Sequence, residues 1–312
     1  MKTIFTTGKR EGGSFLILSL AMLLSSSCKE AKNQPPRMVS VPQFEFISKT
    51  SVGKDSSQNI NISLDAFYIS NEVSNKEYRE FTDWVKNHPD EILSKPKEII
   101  IRKNPEPGTT KVWTVPWMVK VSDILPTLID SNALYKIDKM YKNYFTDKKY
   151  DDYPVVGVSR NAAEYYCVWL IRLEEETIVL RKGQTTPSGM RVPEKMIMGI
   201  SPSYGYYRIP LEMEWEYVSK QPYSHSLVND HKIHKVNNGI TNRWGIIHLH
   251  DNVSEWVTSP DDTMAISKGD NWRIEGALTD RYRMHPDSSN GYTGFRIART
   301  YKPEEINDHE KK

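Results

Sequence analysis

Two cysteines in a chain that carries an export signal leave one route to a stable fold. Lys2, Lys9 and Arg10 precede an apolar run, Phe15 to Leu24, which gives way to Ser25, Ser26, Ser27 and Cys28. The run is about half as long as a helix needs to span hydrocarbon, so residues 1–27 read as a cleaved secretory signal. The ending Leu24-Ser-Ser-Ser-Cys28 resembles a bacterial lipobox, in which the cysteine is diacylated and becomes the mature N-terminus. With Cys28 lipidated, Cys167 has no partner in the chain, and no disulfide framework supports the fold. A buried core must do so, and residues 28–312 are long enough to build one.

The net charge of +2 sets up no field that would attract nucleic acid. Eight tryptophans and seventeen tyrosines carry more information. Each offers an apolar body for packing and a polar tip for a hydrogen bond.

Residues 28–37 are polar and include Pro35-Pro36, a tether between lipid and domain. Met38 to Ile47 reads as a half-buried strand on the alternation of Phe44 and Phe46, and Asn59 to Ser70 as a second strand with Ile60, Ile62 and Leu64 on one face. Ser74 with Glu77 three residues on is a capping box, so a helix starts there and buries Tyr78, Phe81 and Val85. Residues 91–150 hold Pro96, Pro105, Pro107, Pro116, clustered lysines and weak periodicity, the marks of an insertion. It is either a cover over the core or a partner surface anchored by Trp113 and Trp117.

Tyr153 to Val158 reads as a short buried strand and Ser159 to Leu170 as a helix. Cys167 lies among apolar neighbours in that helix and reads as a small buried hydrophobe, because no His or Lys close in sequence lowers its pKa. Pro210 leads into a further helix with Glu212, Glu214 and Glu216 in its early turns, where carboxylates suit the positive end of the helix dipole. Glu212 and Glu216 share a face. With no histidine or metal ligand beside them, they read as capping and ion-pair residues rather than as a paired-carboxylate site. The stretch from Lys268 to Arg299 gathers Gly269, Trp272, Arg281, Tyr282, Arg283, Gly294, Phe295 and Arg296, the mixture expected where turns bring aromatic and guanidinium groups to one surface.

Five segments in fixed order resemble one family, the sulfatase-modifying-factor or formylglycine-generating-enzyme domain. They are Phe67 to Tyr78 (FYISNEVSNKEY), Tyr153 to Trp169 (YPVVGVSRNAAEYYCVW), Tyr207 to Tyr217 (YRIPLEMEWEY), Asn242 to Trp256 (NRWGIIHLHDNVSEW) and Gly294 to Ala298 (GFRIA). The resemblance implies one α+β domain over residues 38–302, of duplicated C-type-lectin-like topology. Little regular structure, short antiparallel strands and a few helices are expected, followed by a charged tail at 303–312.

Family members that oxidise a cysteine to formylglycine use two cysteines, five residues apart, that bind copper. Those positions are Ile274 and Thr279 here, and neither supplies a thiolate. The resemblance therefore implies that formylglycine-generating activity is absent and assigns no catalytic residue. Sulfoxide-forming relatives add an iron-binding histidine cluster, and no H-x3-H-x-E arrangement precedes the domain here. A structural calcium site is also implied, with Glu255 as the carboxylate, Asp251 and Val253 on carbonyl positions, and His248, a poor donor for a hard cation, in the remaining one. His248 and His250 alternate as on a strand and would hold zinc if Asp251 or His285 joined them. The sequence fixes no third ligand, so solvated or core histidines are the expectation.

Within the family, Tyr144 to Ser159 (YFTDKKYDDYPVVGVS) resembles the gliding-motility and type IX secretion lipoprotein branch of Bacteroidetes. The expectation is a pseudoenzyme lipoprotein of the outer membrane, on its periplasmic or surface face, that binds or assembles with other outer-membrane or periplasmic proteins. Two alternatives stand beside it. One is a glycan- or peptide-binding lectin-like module with Trp272 and Tyr282 exposed side by side. The other is an enzyme with a non-cysteine site at Arg281, Arg283 and His285.

Overall fold

A proline decides how the domain begins. Pro42 has no N–H to give a ladder, and it splits the first expected strand into β1 (Met38–Val41) and β2 (Phe44–Ser51). The computed structural model describes residues 38–51, 57–95, 117–182, 207–225, 230–259, 263–273 and 281–300. The second expected strand is also two, β3 (Ser57–Leu64) and β4 (Phe67–Glu72), parted at Asp65-Ala66. β2 and β3 form a hairpin of their own, in register from Phe44 opposite Leu64 to Ser51 opposite Ser57. β1 instead pairs antiparallel with β4, Met38 opposite Ser70.

β4 passes its other edge to the last strand, β12 (Arg296–Thr300), with Arg296 opposite Glu72, and β12 in turn pairs with β7 (Tyr207–Arg208). The resulting sheet, β1-β4-β12-β7, ties the start of the domain to its end. A second sheet has the order β10-β9-β8-β11, built from β8 (Ser254–Val257), β9 (Ala265–Lys268), β10 (Tyr282–Met284) and β11 (Thr293–Gly294). Its β11 runs parallel to β8 and the other neighbours are antiparallel.

Helix α1 (Asn75–Asn87) starts as its capping box requires. The Glu77 N–H donates to Ser74 Oγ, and the Ser74 N–H donates back to Glu77 Oε2 at 2.8 Å. Tyr78, Phe81 and Val85 are buried, all on the face that meets the long helix α4 (Arg160–Lys182). Tyr166 and Trp169 of α4 pack there, and Phe295 closes the cluster with its ring centroid 5.9 Å from Tyr78 and 5.5 Å from Tyr166. Helix α4 (Arg160–Lys182) runs well past the expected end at Leu170. Cys167 is buried inside it, as its apolar neighbours require.

Tyr153 to Val158 is extended and buried but forms no strand: one bridge, Ser74 to Pro154, is its only ladder contact among the described residues. Its backbone instead meets α1 and the preceding turn, with Val155 N–H to Val73 O at 2.9 Å.

Residues 117–150 do more than cover a finished core. After the hairpin of β5 (Ile92–Lys95) and β6 (Trp117–Lys120), the short helix α2 (Val121–Ile124) carries Val121 and Ile124 into the α1–α4 core, and Leu128 follows in the link to a second short helix, α3 (Ala133–Ile137). Leu134, Tyr141 and Tyr144 join a second cluster with Val253 and Trp272. Periodicity cannot show this, because each turn is only a few residues long. Asp138 and Asp147 cap these turns through the N–H groups of Met140 and Lys149. Helix α5 (Glu212–Ser219) completes the elements, and no helix of the described residues is long and apolar enough to cross a membrane.

Candidate functional site

The second sheet and the turns that leave it enclose a cleft of about 390 Å³, lined by Ser254, Ser267, Asn271, Arg281 to Met284, Asn290, Tyr292 and Thr293. Its floor is fixed by hydrogen bonds among small polar groups. Ser254 Oγ donates to Gly269 O at 3.0 Å and accepts from Asn271 Nδ2 at 3.1 Å. Asn290 Oδ1 accepts from the N–H groups of Tyr292 and Thr293, both at 2.8 Å, which shapes the opposite wall. Tyr282 and Arg283 stand exposed on the rim because β10 is an edge strand.

An ionic network, buried at Lys268 and Glu212 and open at Arg281, holds that rim to α5 (Glu212–Ser219). Arg281 grips Glu212 by two parallel bonds, Nε to Oε1 and a terminal nitrogen to Oε2, each 2.6 Å. Lys268 is fully buried, its Nζ 2.9 Å from Glu216 Oε1 and 3.4 Å from Glu212 Oε1. Burial pushes the Glu216 carboxyl up, but the hydrogen bond and charge of Lys268 outweigh this and hold it below the ordinary glutamate value. Glu212 and Glu216 are therefore ion-pair residues, as their sequence context indicates, and Glu214 does the capping by accepting from the Leu211 N–H at 2.9 Å.

Among its described lining residues the cleft has no thiol, imidazole or carboxylate side chain. The chain's other cysteine, Cys167, is locked in α4. A profile of the sulfatase-modifying factor enzyme 1-like domain matches residues 25–301. The chain belongs to this family. The domain has the family's α+β, C-type-lectin-like fold with short antiparallel strands. Among solved structures, CarF matches with a TM-score of 0.45 and 16% identity over 86% of this chain and 99% of that one. PvdO from Pseudomonas aeruginosa matches with 0.43 and 15%, over 85% and 95%. Treponema denticola variable protein 1 matches with 0.41 and 14%, again over 85% and 95%. No curated protein matches the chain.

In this sulfatase-modifying-factor domain, Ile274 and Thr279 lie outside the described residues, as do Trp113 and Cys28. Trp117 begins β6, away from the second sheet in the topology. Trp272 is not a surface aromatic beside Tyr282. It is 5% exposed, stacks against Tyr292 with centroids 6.1 Å apart, and its indole N–H points at Gly291 O. The turn after β9 folds it inward behind the floor because Trp272 N–H binds Asn252 O at 2.7 Å. Arg281 and Arg283 do line the cleft, but His285 does not. It is exposed beyond β10, with Nδ1 3.7 Å from Asp287 Oδ2.

The donor chemistry around Glu255 and His248 does not suit a hard cation. Glu255 Oε2 accepts from Trp215 Nε1 at 2.6 Å and from Arg296 Nε at 2.5 Å, and Oε1 accepts from a terminal Arg296 nitrogen. Asp251 Oδ1 faces His248 Nδ1 at 2.9 Å. His248 Nε2 lies 3.2 Å from Lys235 O and 3.1 Å from Asn238 O. Carboxylates and carbonyls only accept, so both contacts are satisfied only by a ring that donates from each nitrogen, as the charged form does. A ring held this way offers calcium no lone pair, and Glu255 is already bound by Trp215 and Arg296, so His248 and Glu255 do not fit that ion. Burial opposes this charge, but the Asp251 bond and the nearby Glu72 and Asp251 charges outweigh it and lift the His248 pKa to about 9. His248 and His250 are not on a strand either: His248 has φ 59, and His250 Nε2 turns to Ser219 O at 2.7 Å. No set of three His, Cys, Asp or Glu side chains among the described residues is arranged to hold a metal.

Sequence reasoning placed Arg281, Tyr282 and Arg283 at the site and missed Ser254, Ser267, Asn271, Met284, Asn290, Tyr292 and Thr293. Ser254 and Thr293 adjoin the motif residues Val253, Glu255 and Gly294, and the others carried no signal of their own.

Proposed function

We propose that the domain binds a partner at this cleft and catalyses no formylglycine formation. The observation that carries the reading is the lining itself. Exposed Tyr282 and Arg283 stand over a floor of hydroxyl and amide groups, and no thiol, imidazole or carboxylate side chain is among the described lining residues. Both cysteine positions of the oxidases are Ile274 and Thr279 in the sequence. We place the protein in the cell envelope as a lipoprotein anchored at Cys28 in the outer membrane, on the strength of the signal and lipobox pattern. The partners we assign are outer-membrane or periplasmic proteins of a gliding-motility or type IX secretion assembly, which rests on the likeness of Tyr144 to Ser159 to that branch.

The test is crosslinking and co-purification from membranes, comparing wild type with Arg283→Glu. Recovery of named secretion or motility components with wild type and their loss with Arg283→Glu supports the reading. Equal recovery from both, or conversion of a cysteine peptide to formylglycine by the purified protein, overturns it.

A glycan ligand is a second reading, favoured by the Tyr282 ring, 40% exposed beside the amide of Asn271. The burial of Trp272 removes the second aromatic it relied on. A glycan array silent for both wild type and Tyr282→Ala removes this reading.

A further inference from the structure

His248 stands at the centre of a turn that closes around it. Its backbone is left-handed at φ 59, and so is that of Asn252 at φ 65. The chain from Lys235 to Gly239 wraps over the ring, and it can do so because residue 239 is glycine: a Cβ there would sit 2.8 Å from Cε1 and 2.9 Å from Nε2. Two carbonyls, Lys235 O and Asn238 O, converge on Nε2, and the Asp251 carboxylate meets Nδ1. Asn252 stitches the same two segments, accepting from the His234 N–H at 2.8 Å and donating to Glu72 Oε2 at 2.7 Å.

The other charges around the ring lie on Glu72, whose Oε2 accepts from Asn252, on the Glu255–Arg296 pair, and on His234 with Asp230. Glu255 and Arg296 neutralise each other, His234 stacks parallel to His248 with centroids 6.2 Å apart, and His234 Nε2 is 2.8 Å from Asp230 Oδ1. One carboxylate and two carbonyls gathered on a buried point of positive charge is the arrangement a hard cation imposes on a loop. Here a side chain of the protein occupies that point.

We propose that the His248 imidazolium is a built-in structural cation that organises the 234–239 and 246–252 segments, so that the domain folds without calcium. A neutral ring could donate from only one nitrogen and would set the lone pair of the other against an acceptor. The carboxylate and carbonyls thus select the charged form by geometry.

The test uses the mature chain in detergent at neutral pH. Long-range proton–nitrogen correlation spectra, assigned with His248→Asn, should show both His248 ring nitrogens protonated, and the unfolding temperature should be the same in excess EDTA and in millimolar calcium chloride. His248→Asn keeps a donor but not the charge and should lower that temperature equally in both media. A neutral His248 tautomer, a wild-type protein that loses stability in EDTA, or a His248→Asn variant as stable as wild type would each overturn the proposal.

Discussion

Arg296 in β12 and Glu255 in β8 form a closed pair that joins the two four-stranded sheets, with both side chains out of contact with solvent. The remaining Arg296 donors go to Ser70 O at 2.9 Å and to Ile247 O and His248 O at 3.1 and 3.2 Å. Removing either partner leaves a buried charge without its counterion, so Glu255→Gln or Arg296→Met should each cost about 3–5 kcal/mol. Because the two act as one unit, the double variant should lose less than the sum. Urea unfolding of the three variants measures both.

Trp272 and Tyr282 should separate stability from binding. Trp272→Ala empties a packed site between Tyr141 and Tyr292 and should cost about 3–5 kcal/mol of unfolding free energy. Tyr282→Ala lies on an exposed edge and should stay within about 0.5 kcal/mol of wild type while weakening partner recovery. Calorimetry and co-purification on the same two variants give both readings.

Alkaline pH should loosen the fold before mild acid does. His248 is raised from 6.5 to about 9, so its contribution is complete below pH 6.5 and lost as pH rises through about 9. Burial raises Glu72 from 4.5 to about 8, with His248 opposing, and its contribution is likewise lost toward higher pH. Glu216 works in the other direction. Its lowered carboxyl stabilises above the ordinary glutamate pKa, and that gain fades in acid. The unfolding temperature should therefore fall as pH rises from about 6.5 to about 9, and His248→Asn should flatten that limb.

Two glycines with nearly equal backbones should respond unequally to alanine. Gly157 (φ 80) places a Cβ 2.3 Å from Asp130 O, whereas a Cβ at Gly245 (φ 81) meets nothing within 4 Å. Gly245→Ala should cost about 1–2 kcal/mol, the left-handed strain alone, and Gly157→Ala distinctly more. Denaturant midpoints of the two variants decide it.

The sequence was legible wherever one short-range rule governs the structure. The Ser74–Glu77 box, the buried face of α1 and the burial of Cys167 follow from local spacing and composition. It was not legible where long-range contacts decide. Residues 117–150 enter the core through turns too short to show a period, and Trp272 is turned inward by a backbone bond to Asn252, twenty residues away. The cleft was half visible: charged and aromatic rim residues advertise themselves, while Ser254, Asn271 and Asn290 are small polar residues with no pattern of their own. The surroundings of His248 were hidden for a related reason: a motif asks for ligand types at set positions, and only the folded chain brings acceptors to both His248 ring nitrogens.

Photo-crosslinking from the cleft tests the binding role most directly. A photoreactive amino acid placed at Tyr282, and as a control at Met140, which is 67% exposed on the 117–150 segment, reports in intact cells what each surface touches. A crosslink to a defined envelope protein from position 282 and none to it from position 140 is the predicted result. The same adduct from both positions, or none from position 282, would contradict a binding function for the cleft.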